Sequence, residues 1–187
     1  MSTTEQIRIF SVDDHPLLHE GLATVIRHQA DMQLIAEAEN GQQAIQRFRE
    51  HMPDVTLMDL RLPDMSGIDA MIAIRSEFPE ARVIILTTFA GDVEIQRAVE
   101  SGARAYVLKT TPPRELVQVI RDVHAGKTRI PEHLSGRLTE HHSSGAVAQR
   151  ETVKAVSSEE SSKASGASLG QPSEGILQRW LAHFRGK

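Results

Sequence analysis

The chain has 187 residues, 40% of them hydrophobic, with a formal net charge of -4 and no cysteine. That length buries one ordinary core with roughly 50 residues to spare, so one domain plus an appendage is expected. A disulfide framework and a thiolate metal site are excluded, the opening MSTTEQIRIF lacks a signal-peptide stretch, and no run reaches membrane-spanning length, which predicts a soluble, cytoplasmic protein. Charge is unevenly spread: residues 1–126 carry 12 basic and 19 acidic side chains, residues 127–187 carry 9 and 6. The basic excess of the tail is too dilute to specify nucleic acid by itself.

In chain order, Ile7 to Val12 alternates like a strand and runs directly into Asp13-Asp14. His15-Pro16 then opens a helical pattern of Leu17, Leu18, Leu22, Val25 and Ile26, with proline in the first turn, where its missing N–H costs nothing. His15 itself reads as a solvated first-turn residue. A second strand, Gln33 to Ala38, stops before Asn40-Gly41, and Ala44, Ile45 and Phe48 mark the next helix. Val55 to Met58 is a short apolar run suited to a strand buried on both faces, and it ends at Asp59 with Pro63 and Gly67 close behind as turn punctuation. Gly67 to Phe78 is helical, with Ile68, Met71, Ile72 and Ile74 spread around much of its circumference.

The fourth strand, Val83 to Thr88, ends in hydroxyls. A helix from Asp92 to Glu100 closes on Ser101-Gly102, a glycine C-cap, and the fifth strand, Ala105 to Leu108, ends at Lys109. Pro112-Pro113 starts a last helix with the stripe Leu116, Val117, Ile120 and Val123. Five strands alternating with five helices predict an α/β fold with a doubly wound, five-stranded parallel sheet.

Such a sheet binds ligands at the carboxyl ends of its strands. Asp13 and Asp14 end the first strand, Asp59 the third, Thr87 the fourth and Lys109 the fifth. With strand order 2-1-3-4-5 the switch point falls between strands 1 and 3, where these acids meet. Three carboxylates in one pocket raise one another's pKa unless a cation joins them. A hard divalent ion held by oxygens, most simply Mg²⁺, answers that repulsion. Lys109 adds a positive point charge and Thr87 a hydroxyl donor, both suited to phosphoryl oxygens.

The segments VDDHPLLHEGL, MDLRLPDMSG, LTT and GARAYVLK, in this order, resemble the receiver domain of bacterial two-component response regulators. The DDHP opening and the HAGK after the last helix are similar to the NarL/FixJ-like branch. The resemblance covers residues 5–127, and it implies a flavodoxin-like sheet of order 2-1-3-4-5. It implies that Asp59 accepts a phosphoryl group from a sensor histidine kinase, and that Asp14, Asp59 and the main-chain carbonyl of Arg61 hold Mg²⁺. Asp13 would act through a bound water, Lys109 would pair with the phosphoryl oxygens, and Thr87 would move toward them. Tyr106 would turn inward with Thr87 and alter the surface of the fourth helix, fifth strand and fifth helix. The role it implies is that of a regulatory phosphoacceptor switching its surface for protein association, with a homodimer as one output. Bulky Arg61 and Phe89, two positions beyond Asp59 and Thr87, predict slow self-dephosphorylation.

The tail departs from the branch. Val147 to Val156 retains only Arg150-Glu151 of the expected output-domain pattern, and Ser157 to Ser173 is too poor in large apolar residues to offset its ordering entropy. Residues 128–173 are therefore expected as a linker and disordered segment, with a missing or degenerate helix-turn-helix. DNA binding is not expected without one. Residues 174–187 form an amphipathic helical pattern through Ile176, Leu177, Trp180, Leu181 and Phe184. Two alternatives stand beside this reading. One is a DNA-binding transcriptional regulator with an output domain of another kind in the tail. The other is a haloacid-dehalogenase-like phosphatase with an aspartate nucleophile, which needs a second acid where this chain has Arg61.

Overall fold

A strand–helix alternation this strict returns the chain to the same end of the sheet after every strand, so neighbouring strands must run parallel. The computed structural model describes residues 6–88 and 91–130. Its elements are β1 (Ile7–Val12), α1 (Pro16–Arg27), β2 (Met32–Ala38), α2 (Gly41–His51), β3 (Val55–Asp59), α3 (Gly67–Glu77), β4 (Val83–Thr87), α4 (Asp92–Glu100), β5 (Ala105–Leu108) and α5 (Pro113–His124). The strands form one parallel sheet of order β2-β1-β3-β4-β5, as the sequence predicts.

Both faces of the sheet are covered, which is why every residue of β3 and β4 is buried and why those strands read as unbroken apolar runs. Alternate residues serve opposite faces. Phe10, Met58 and Ile85 pack with Phe48 of α2, Met71 of α3 and Ile95 of α4. Ile9, Leu57 and Ile84 pack with Leu22 of α1 and with Leu116 and Ile120 of α5. Each such side chain contributes about 1.5–3 kcal/mol on burial. In α3, Ile68, Met71 and Ile74 are buried while Ile72 is 43% exposed, so three of its four large apolar residues make the contact face.

The α4 terminus is capped as expected. Gly102 has φ +96°, and the N–H groups of Gly102 and Ala103 donate to the carbonyls of Val99 and Ala98. Beyond α5 the chain stays against the sheet. The Arg129 N–H donates to the Arg104 carbonyl, the Tyr106 N–H donates to the Arg129 carbonyl, and Asp122 pairs with both Lys127 and Arg129. The readings made for residues 131–187, including the Ser-rich segment and the helical pattern at 174–187, lie outside the described residues, as does Phe89. No described helix is long and apolar enough to cross a membrane.

Candidate phosphoryl-acceptor site

The parallel registers end together at one rim. Val12 lies opposite Met58, Asp59 opposite Leu86, and Thr87 opposite Leu108. The residue after β1 is Asp13, the last of β3 is Asp59, and the residue after β5 is Lys109, so residues far apart in sequence converge where β1 and β3 diverge to opposite sides.

Lys109 stands between two acids. Its Nζ lies 2.5 Å from Asp13 Oδ2 and 3.0 Å from Asp59 Oδ2, with Asp13 1% and Asp59 4% exposed. The Lys109 main chain is held by donation from its N–H to the Thr87 carbonyl at 2.7 Å. Burial pushes the Asp59 carboxyl up to about 6; the Lys109 charge opposes this, the Asp13 charge adds to it, and the Arg61 N–H donating to the carboxylate opposes it again. One lysine therefore does not neutralise the pocket.

Asp14 sits at the outer edge of the group and is more exposed. The His15 side chain is 37% exposed, as expected of a solvated residue at the helix start, and its imidazole also meets the acids. Its Nδ1 lies 2.9 Å from Asp13 Oδ1 and 2.7 Å from Asp14 Oδ1, and its main-chain N–H donates to Asp13 Oδ1 at 3.0 Å. Starting a helix directly after two acids turns the N-cap imidazole back onto them. Ligand atoms of Asp13, Asp14, His15 and Asp59 all lie within 4.8 Å of one another. Carboxylate oxygens dominate this set and its negative charge exceeds the local lysine, which fits a hard divalent cation such as Mg²⁺.

The loop after β3 is built to present Asp59. The Gly67 N–H donates to the Leu60 carbonyl, and Arg61 bridges to Ser66. A Cβ on Gly67 would stand 1.8 Å from the Asp59 carbonyl oxygen, so only glycine lets α3 begin against that backbone. Asp64 reaches across to α2 and accepts from the Gly41 and Gln42 N–H groups at 2.7 and 2.9 Å. From sequence Gly67 reads as a turn residue and a helix start, and Asp64 carries no signal of its own because its partner helix is 22 residues away.

Thr87 is 1% exposed at the end of β4. Tyr106 is 8% exposed and packs within the same cluster as Phe10, Met58 and Ile85. Its side chain is thus buried in this structure. Burial, then the charges of Glu94 and Asp59, push its phenol up to about 12, with Arg61 opposing.

Residues 9–121 match the response regulator receiver domain family. The chain belongs to that family. This receiver is 34% identical over 122 residues to the response regulator protein VraR of Staphylococcus aureus, covering 65% of this chain and 58% of that protein. The chain thus spans somewhat more than half the length of the curated relatives it matches. Among solved structures it is similar to a LuxR-family two-component response regulator from Aurantimonas sp. SI85-9A1, with 36% identity, TM-score 0.66, and coverage of 74% of this chain and 99% of that one. It is also similar to the signal receiver domain of the putative response regulator NarL from Mycobacterium tuberculosis, with 30% identity, TM-score 0.63, and coverage of 66% and 99%. The receiver match leaves the dehalogenase-like alternative without support.

Proposed function

We propose that residues 5–127 work as the phosphoacceptor unit of a two-component system, with Asp59 taking a phosphoryl group from the phosphohistidine of a sensor kinase. The observation that carries this reading is the buried Asp13–Lys109–Asp59 bridge, with Lys109 Nζ at 2.5 and 3.0 Å from the two carboxylates. An Asp59 oxygen attacks phosphorus in line, the P–N bond breaks, and the kinase imidazole leaves with the electron pair. Asp14, Asp59 and the Arg61 main-chain carbonyl would hold Mg²⁺, with Asp13 acting through a water. The bound ion supplies charge neutralisation for the phosphoryl oxygens. Lys109 moves its pairing from the Asp59 carboxylate to a phosphoryl oxygen of the same residue, and Thr87 donates its hydroxyl to another.

The product is a changed surface at α4, β5 and α5, transmitted through Thr87 and Tyr106, and the output is association with other proteins or with a second copy. The chain acts as a regulatory phosphoacceptor and turns over no external substrate. The LuxR-family relatives include a protein described as a DNA-binding response regulator from Staphylococcus aureus. For this chain a DNA-binding output is the second reading, and salt-sensitive binding of a duplex by the full chain would favour it.

The test is intact-mass measurement after incubation with acetyl phosphate and Mg²⁺. Addition of a single phosphoryl group that disappears in Asp59→Asn is expected. Multiple turnover of a small phosphate ester would overturn the reading in favour of a hydrolase. Light-scattering mass with beryllium fluoride then reports whether association follows.

A further inference from the structure

The β1–β2 ladder ends with the Asp13 N–H donating to the Ala38 carbonyl, and the β1–β3 register stops at Val12 opposite Met58. The Asp13 carbonyl is the first beyond the sheet on this side. It is met by a ring from α1: His19 Nε2 lies 2.7 Å from the Asp13 main-chain oxygen. A carbonyl only accepts, so Nε2 carries the hydrogen. The other nitrogen, Nδ1, lies 3.1 Å from Ser11 Oγ, and Ser11 is 1% and His19 8% exposed. Both ring nitrogens are thereby engaged by groups on β1 and its exit, which determines ring orientation and leaves little rotational freedom. Glu37 of β2 is the nearest acid among the described residues, with Oε1 3.8 Å from Nδ1 and its side chain 45% exposed.

His19 touches neither carboxylate. What it holds is the backbone from which both project, at the point where the strand ladder has ceased to hold it. The directions of the Asp13 and Asp14 side chains follow from the φ and ψ angles of this exit. We propose that His19 is a positioning residue for the divalent cation: its Nε2–H clamps the Asp13 main chain and so aims the Asp13–Asp14 carboxylate pair at the ion. A purely packing role would be met by leucine, since the position lies on the inner face of α1 with Leu22 and Ile26. The inference rests on the cation reading of the site given above.

The experiment is calorimetric titration of the full chain with Mg²⁺ alone, alongside urea unfolding of each variant. His19→Gln places an amide nitrogen near the Nε2 position, whereas His19→Asn is too short to reach the carbonyl and His19→Leu cannot donate. Supporting groups around metal ligands typically control affinity by roughly 10–100-fold. Here Mg²⁺ affinity is expected to fall by about tenfold in His19→Leu and His19→Asn and to stay within about threefold of wild type in His19→Gln. Equal affinity in wild type and folded His19→Leu would overturn the inference while leaving the site reading intact. If leucine prevents folding, the Gln and Asn pair decides, and equal affinity in those two likewise overturns it. Wild-type protein that fails to bind Mg²⁺ would overturn both.

Discussion

Replacing Asp59 with asparagine should make the metal-free protein more stable at neutral pH. The carboxyl titrates near 3.8 in the unfolded chain and at about 6 in the folded one, because burial and the Asp13 charge outweigh the help from Lys109 and the Arg61 N–H. A raised folded pKa means that the folded state binds the proton more tightly. The cost of ionisation is therefore absent below the unfolded value, grows as pH rises through the interval, and is complete above about pH 6. The difference of about two units corresponds to about 3 kcal/mol. The attraction of Lys109 is already contained in that difference, so removing the charge releases the net penalty. Urea unfolding followed by far-UV circular dichroism should place Asp59→Asn above wild type by about 3 kcal/mol at about pH 7.5, with the gap closing toward about pH 4. Adding Mg²⁺ should shrink or reverse the gap, since an ion bound only by the folded state at about 100 times its Kd contributes about 2.7 kcal/mol. Parallel stability curves for the two proteins across this range would refute the electrostatic reasoning.

Lys109→Met would leave Asp13 and Asp59 buried without their shared cation; loss of about 3–5 kcal/mol at neutral pH and no labelling from acetyl phosphate are expected, read by urea unfolding and intact mass. Gly67→Ala puts a Cβ against the Asp59 carbonyl oxygen, so the β3–α3 loop must shift; destabilisation of about 1–3 kcal/mol and slowed phosphoryl acceptance are expected, measured by unfolding and by the time course of labelling. Asp122→Asn removes the charge that Arg129 and Lys127 share, and hydrogen exchange at the Tyr106 and Arg129 amides should quicken. Arg129 and then Lys127 hold the Asp122 carboxyl below its ordinary value. The wild-type protection is therefore present above the ordinary carboxylate range and lost as pH falls through the lowered folded value.

The order of strands and helices was legible because each element is long enough to show its own period and because Gly, Pro and Asn punctuate the turns. β3 and β4 were plain as apolar runs, since a parallel sheet covered on both faces leaves no polar side to obscure them. Asp13, Asp14, Asp59, Thr87 and Lys109 could be singled out for the same reason: each is a polar residue at or just beyond the end of an apolar strand. What sequence position could not supply was pairing. Nothing local says that Lys109 bridges Asp13 and Asp59, that His15 turns back onto two acids, or that Asp64 caps a helix begun 23 residues earlier.

Strand ends and turn residues are local properties, governed by backbone geometry and by the period of burial, and one chain read in order contains them. The contacts that decide chemistry are made across the sheet, and parallel order 2-1-3-4-5 brings them together only after four crossovers have closed. His19 marks the division. Its place on the inner face of α1 follows from spacing to Leu22 and Ile26, but its hold on the Asp13 carbonyl exists only because β1 outruns its ladder at that residue and α1 packs over the exit.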